Sequence, residues 1–160
     1  MNEENQDSRA HYCFGCGQQN PFGLHLHFAI ADGEVRAPFT PKAEHQGFPG
    51  LMHGGLVATM LDEAMGWVIL GNGVWAVTGK INIRYREGVP LFQPVTVIGR
   101  IDNDRRRWLL VKAEVRSADD VVLAEADAIF MRVSGERQRQ LEDIYHGMIV
   151  GETAAAGKAD

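Results

Sequence analysis

The sequence predicts an α+β fold in which a curved antiparallel β-sheet wraps around one long central α-helix. Residues 53–70 form a single apolar run with glycines at both ends, as expected for a buried helix. The segments on either side of it alternate apolar and polar residues with period two, which indicates strands. Because a single buried helix must be covered on most of its sides, a curved sheet is the arrangement that satisfies both patterns.

Length and composition are those of one globular domain, with 160 residues, 45% hydrophobic residues and a formal net charge of −5. The negative charge disfavours a nucleic-acid partner. His53, Asp62 and Glu63 interrupt the apolar run, which favours a buried helix over a membrane span. Residues 1–10 are polar and acidic, unlike a signal peptide, so we expect a disordered N-terminus, a cytoplasmic location and reduced cysteines.

The elements follow in a simple order within a predicted domain at residues 11–135. Residues 11–24 form a compact loop rich in cysteine and glycine, and strands at 24–30 and 34–39 are joined by a turn at Asp32-Gly33. A loop at 40–50 leads into the helix, and four antiparallel strands follow it, with turns expected at 102–104 and 118–120. Alanines on the last strand predict that the helix packs there, and residues 136–160 suggest a short helix and a frayed tail.

Two features of the helix call for a chemical explanation. The Gly54-Gly55 pair at its start offers backbone N–H groups to a developing negative charge. Asp62 lies halfway along the helix, where a carboxylate is costly to bury unless the protein uses it.

The residues around these features resemble a known family. His-Gln-Gly-Phe-Pro-Gly-Leu-Met-His-Gly-Gly at 45–55, followed by Met-Leu-Asp at 60–62, resembles the hotdog-fold acyl-CoA thioesterases of the phenylacetate-pathway (PaaI-like) type. Residues 77–86 match the strand after that family's helix, and the Cys/Gly-rich loop is similar to one in a bacterial subgroup of the family. The resemblance covers residues 13–133. It implies a hotdog fold, hydrolysis of acyl-CoA to a free acid and CoA, no cofactor, and a homodimer, with a homotetramer as the alternative assembly.

The resemblance and the chemistry of thioester hydrolysis together assign residue roles. The Gly54 N–H would stabilise the oxyanion, and Asp62 would act as base or nucleophile, a choice that the sequence leaves open. The resemblance adds an amide side chain near the thioester at Gln46 and a hydroxyl at Thr78 that holds a water or the carboxylate. Further candidates for binding the substrate, including the phosphates of CoA, are His53, Gly55, Lys80 and Arg84.

Spacing constrains how Gly54 and Asp62 can cooperate. They are eight residues apart in the sequence, which corresponds to about 12 Å along a helix. One carbonyl group cannot react with both from the same chain. A two-fold dimer with antiparallel helices brings Gly54 of one subunit to Asp62 of the other, and the resemblance implies the same arrangement.

Two alternatives remain open. Cys13 and Cys16, with His11, His25 and His27 nearby, are compatible with a zinc site, although the second Cys-x-x-Cys pair of many zinc modules is absent. The favoured interpretation is a pinned loop without metal, its cysteines acting as small buried apolar residues. The other alternative is a non-catalytic acyl-CoA-binding protein of the same fold.

Overall fold

The computed structural model describes residues 11–142, and its longest helix is α1, Gly54–Gly71. A short 3-10 helix, Ala43–His45, precedes α1, and residues 136–142 are helical. The expected disordered N-terminus and most of the expected C-terminal tail lie outside the described residues. No helix in the described range is long and apolar enough to cross a membrane.

Six strands form one antiparallel sheet against α1. They are β1 (Ala29–Ala31), β2 (Glu34–Phe39), β3 (Ala76–Tyr85), β4 (Val95–Asp104), β5 (Trp108–Ser117) and β6 (Val122–Arg132). Their order across the sheet is β1-β2-β4-β5-β6-β3, so the strand that follows the helix lies at one edge. The inner sheet face and α1 share one continuous apolar core. The predicted α+β arrangement is therefore confirmed.

The closest approach of helix and sheet differs from the prediction. The alanines of β6 do face the core, but α1 packs mainly against β4 and β5. A Cβ atom added to Gly99 on β4 would lie 2.6 Å from the Ala64 carbonyl oxygen of α1. The absence of a side chain at Gly99 is what lets the helix backbone come this close.

The strand expected at 24–30 is mostly not a strand. Its burial alternates as predicted, since Leu24, Leu26 and Phe28 are buried, but only Ala29–Ala31 pairs with β2. His25 has φ of 52°, in the left-handed region that breaks an extended chain. The N–H groups of Leu24 and Leu26 donate instead to carbonyls of the Cys/Gly-rich loop, at 2.8 and 2.9 Å.

The turn predicted at residues 102–104 occurs three residues later. A bulge near Asp102 keeps β4 paired with β5 as far as Asp104, which lies opposite Leu109. The Arg105 N–H then closes the turn by donating to the Trp108 carbonyl at 2.9 Å. The turn after β5, at 118–120, lies where it was predicted.

A bulge at Gly79 decides which side chains of β3 face the helix. Thr78 lies opposite Phe130 and Lys80 opposite Ile129, so Gly79 has no partner on β6. Because strand side chains alternate, the extra residue reverses the alternation. Thr78 therefore shares the inner face with the residues that lie opposite the buried alanines of β6, namely Ile81, Ile83 and Tyr85.

We predict that Gly99→Ala destabilises the protein by about 1–3 kcal/mol, because the added methyl group collides with backbone that cannot move alone. The matched control is Gly66→Ala within α1, where a Cβ meets nothing within 4 Å. This second change should stabilise the helix by about 0.5–1 kcal/mol. Urea denaturation measures both, and a loss of stability at Gly66 equal to that at Gly99 would contradict the packing described.

Candidate active site

The start of α1 leaves one backbone N–H group without a partner. The first four such groups in a helix have no partner within the helix. Here the His53 N–H donates to the His45 carbonyl oxygen at 2.8 Å. The Gly55 N–H donates to His53 Nδ1 at 2.9 Å. The Leu56 N–H donates to the His53 carbonyl oxygen at 2.9 Å. The Gly54 N–H has no hydrogen-bond partner within residues 11–142, and Gly54 is exposed.

Two neighbouring elements fix this helix start. The Tyr85 hydroxyl, on the inner face of β3, donates to the Gly54 carbonyl oxygen at 2.8 Å. From the other side, Gly47 packs so closely that a Cβ atom there would lie 2.9 Å from His53 Cα. Gln46 lies next to Gly47 on the same loop and forms an isolated β-bridge with Met52. The side-chain Oε1 of Gln46 accepts a hydrogen bond from the Gly50 N–H at 3.5 Å. The predicted residues Gln46, His53 and Gly54 therefore belong to one local structure.

Asp62 lies two turns further along α1 and contacts Thr78. Thr78 Oγ1 donates to Asp62 Oδ1 at 2.8 Å, which leaves Oδ2 free of hydrogen bonds from the described residues. This contact depends on the Gly79 bulge, because without it Thr78 would point to the outer face of the sheet. Residues that are 16 positions apart in sequence thus form one pair.

An open cavity of about 340 Å³ lies beside this pair. Its walls combine Asp62 and Thr78 with apolar groups from Trp67, Leu70 and Phe130. Trp67 lines this cavity, whereas Met60 and Met65 are fully buried in the core and Phe48 is 80% exposed.

Lys80 and Arg84 are not part of this arrangement. They lie opposite Ile129 and Glu125 of β6, on the outer face of the sheet. Arg84 borders a depression of about 530 Å³ on the outer face together with Arg100 and Lys112, and neither Asp62 nor Gly54 lines it. Neither Lys80 nor Arg84 forms an ion pair within the described part of the chain.

The second carboxylate of the helix, Glu63, meets the Cys/Gly-rich loop. The Cys13 thiol lies 3.5 Å from Glu63 Oε2, and Trp67 Nε1 donates to Oε1 at 3.1 Å. A Cβ atom on Gly15 would collide with the Glu63 carboxylate, so the glycine between the two cysteines permits the contact. Cys13, Cys16 and Glu63 each offer a ligand atom within 4.8 Å of the other two.

Burial and mutual contacts shift the pKa values of all three side chains in this cluster. Burial raises the pKa of the Glu63 carboxyl to about 7, and the nearby Cys13 sulfur adds to the effect. A hydrogen bond between the two thiols lowers the pKa of Cys13 and raises that of Cys16, which is also buried.

The histidines suggested by the sequence as metal ligands do not complete this cluster. His25 Nδ1 is buried without a hydrogen-bond partner, and His27 Nε2 lies 3.1 Å from Gln18 Nε2. His11 is closer, with Nε2 at 3.9 Å from Cys16 Sγ.

Sequence reasoning missed two residues of these sites, Tyr85 and Glu63. Tyr85 was expected to be an ordinary strand residue, although an aromatic residue with a hydroxyl on an edge strand was a signal for a specific contact. The sequence marked Glu63 only as a charged residue that interrupts the apolar run. Its contact with a loop fifty residues earlier has no signal in the local sequence.

We predict that His53→Ala lowers the free energy of unfolding by about 0.5–2 kcal/mol, because the Gly55 N–H loses its capping acceptor. His53→Asn is the control, since asparagine caps helices through its own side-chain oxygen. Chemical denaturation should separate the two variants. Equal losses in both would mean that the Nδ1 contact does not stabilise the helix start.

Comparisons with known proteins agree with this fold. Residues 49–124 match the family model described as Thioesterase superfamily. The chain is 36% identical over 93 residues to acyl-coenzyme A thioesterase THEM4 of Mus musculus, covering 58% of this chain and 40% of the relative. The chain thus spans less than half the length of that curated relative.

Solved structures give the same result. The thioesterase superfamily protein RHA08564 superposes with a TM-score of 0.72 at 28% identity, covering 75% of this chain and 60% of that one. The Escherichia coli PaaI protein of the phenylacetic acid degradation operon superposes with a TM-score of 0.66 at 16% identity, covering 70% of this chain and 82% of that one. A hypothetical thioesterase of Streptococcus pneumoniae TIGR4, solved with coenzyme A, superposes with a TM-score of 0.65 at 19% identity, covering 68% of this chain and 86% of that one. The expected resemblance to hotdog-fold thioesterases is confirmed by the match of residues 49–124 and by the shared fold.

Proposed function

We propose that the protein is an acyl-CoA thioesterase that hydrolyses the thioester to a free carboxylic acid and CoA. The observation that carries this proposal is the unpartnered Gly54 N–H at the exposed start of α1. The substrate class comes from the name of the curated relative, acyl-coenzyme A thioesterase, and from the structural neighbour that was solved with coenzyme A.

The helix start suits a tetrahedral intermediate. Hydrolysis places a negative charge on the thioester oxygen, and a helix N-terminus favours such a charge through its dipole. Since His53 occupies the Gly55 N–H, the Gly54 N–H is the donor that remains for the substrate. Gly55 and His53 would then act by shaping and fixing this donor.

Asp62 is the proposed base or nucleophile. The hydrogen bond from Thr78 to Oδ1 orients the carboxylate and leaves Oδ2 for the substrate or a water molecule. The Streptococcus pneumoniae neighbour was also solved as two alanine variants, of an aspartate and of a threonine 16 positions after it, which is the spacing of Asp62 and Thr78. Either Asp62 attacks the carbonyl carbon, the C–S bond breaks with loss of the CoA thiolate, and water hydrolyses the resulting anhydride to the acid. Or Asp62 takes a proton from a water molecule that attacks the carbonyl carbon, and the C–S bond breaks to release the acid and the CoA thiolate.

A dimer completes the proposed site. The Gly54 N–H and the Asp62 carboxylate belong to one straight helix and are separated by about 12 Å along its axis. The strand β3 has an unpaired edge of ten residues, and Tyr85 and Val77 on it are exposed. Pairing across this edge about a two-fold axis would cover both and bring Gly54 of one subunit towards Asp62 of the other.

Within this dimer, the remaining predicted residues keep their proposed roles. The Gln46 amide, on the loop that supports His53, would contact the thioester. Lys80 and Arg84 are cations without ion-pair partners in the described range and lie beside the β3 edge. They are therefore available to the phosphates of CoA outside the acyl cavity.

We predict that Asp62→Asn lowers kcat for acyl-CoA hydrolysis by at least about 100-fold, because the amide is neither a base nor a nucleophile. Release of free CoA, measured with a thiol reagent over short, medium, long and aryl acyl-CoAs, tests this. The control Asp119→Asn, in an exposed turn, should behave like the parent. Equal rates for Asp62→Asn and the parent would contradict the mechanism, and no hydrolysis by the parent would contradict the function.

A second pair of variants isolates the Gly54 N–H. Proline suits the first helical position, and His53 has φ of −63° and ψ of 131°, the extended conformation favoured before proline. Gly54→Pro should therefore fold but lack the N–H. Gly54→Ala keeps the N–H, and its Cβ lies at an ordinary 3.6 Å from Tyr85.

We expect kcat of Gly54→Pro to be about 10²–10³-fold below that of Gly54→Ala, the usual loss for one oxyanion donor. The comparison between these two variants cancels the effect of the added Cβ. Equal kcat values would show that the Gly54 N–H does not stabilise the transition state.

A further inference from the structure

We propose that Cys13, Cys16 and Glu63 form a binding site for a thiophilic divalent cation, with Zn²⁺ as the ion that fits best. The argument for this site does not depend on the proposed thioesterase chemistry. Sequence spacing alone pointed to cysteines with histidines, whereas the fold brings a glutamate from α1 to the two cysteines.

The ligand atoms already have nearly the spacing that zinc requires. Tetrahedral zinc with bonds of about 2.3 Å to sulfur and about 2.0 Å to oxygen holds neighbouring ligand atoms about 3.5–3.8 Å apart. Cys13 Sγ lies 3.5 Å from Glu63 Oε2, and all three ligand atoms lie within 4.8 Å of one another. Closing around an ion thus requires a contraction of about 1 Å or less.

The surroundings orient these groups as the outer shell of a metal site does. Trp67 Nε1 donates to Glu63 Oε1, which fixes the carboxylate. Cys13 Sγ lies 3.6 Å from Oε1 and 3.5 Å from Oε2, so Oε2 is available to a metal ion beside the sulfur. His11 Nδ1 accepts from the Cys13 N–H at 3.2 Å, so the neutral ring carries its proton on Nε2. His11 Nε2 lies 3.9 Å from Cys16 Sγ, so its N–H can donate to the sulfur, which suits a group that supports the ligand rather than a metal ligand.

Charge and softness select the ion. When a bound ion displaces the thiol protons, two thiolates and a carboxylate balance its positive charge, and thiolates prefer zinc to magnesium or calcium. Three protein ligands leave a fourth position, which a water molecule can fill. The same three residues line the cavity that contains Asp62, so this position opens towards the cavity. Binding would also tie the Cys/Gly-rich loop to α1.

Metal content of the intact, reduced protein tests the proposal. After incubation with ZnCl₂ and gel filtration, we expect close to one zinc ion per chain and a raised melting temperature. Titration with Co²⁺ should give a thiolate-to-cobalt charge-transfer band. Cys16→Ser should reduce this band to about half per bound ion, because one of two thiolates remains.

Glu63→Gln is the decisive variant, since it keeps the acceptor for Trp67 and tests the proposed ligand set even if Cys16→Ser fails to fold. We expect it to bind Co²⁺ at least about tenfold more weakly than the parent. The control is His25→Asn, because asparagine tolerates the positive φ at this position, and it should bind like the parent. Zinc content near zero without a charge-transfer band would overturn the site, as would parental affinity in Glu63→Gln.

Discussion

The rise of an α-helix is the constraint on which this account depends. About 1.5 Å per residue separates the Gly54 N–H from the Asp62 carboxylate by about 12 Å, a distance that no side-chain rotation removes. The helix is also held rigidly, because the sheet contacts its backbone at Gly99 and buries its apolar side chains. A donor at one end and a carboxylate in the middle therefore remain apart within one chain. In the dimer that we propose, a second copy related by a two-fold axis would resolve this with the same residues.

The helix start shows how a local hydrogen-bond arrangement creates a donor. His53 acts twice, through its ring nitrogen and its carbonyl oxygen, and so satisfies two of the N–H groups that begin the helix. Tyr85 holds the Gly54 carbonyl from β3. What remains is one exposed N–H on a backbone that its neighbours keep in place, which is the preorganisation that oxyanion stabilisation needs.

The sequence predicted the parts of the molecule that depend on periodicity and on contiguous residues. The helix, the strands after it and the turn at 118–120 lie where the pattern placed them. The errors arose where one residue changes the backbone. His25 with a positive φ interrupts a segment whose burial still alternates, and the Gly79 bulge reverses the faces of β3 and separates Thr78 from Lys80 and Arg84. Contacts between distant segments, such as Cys13 with Glu63, depend on the whole fold and leave no local trace.

The proposed shared site is tested most directly by a heterodimer of two variants, each of which retains one of the two groups of the site. Asp62→Asn retains the Gly54 donor and Gly54→Pro retains the carboxylate, so a heterodimer of the two variants has one intact site and one doubly defective site. Purified through two different affinity tags, this heterodimer should recover about half of the parental kcat per dimer. Activity no higher than that of either variant alone would show that Gly54 and Asp62 do not act across a subunit interface.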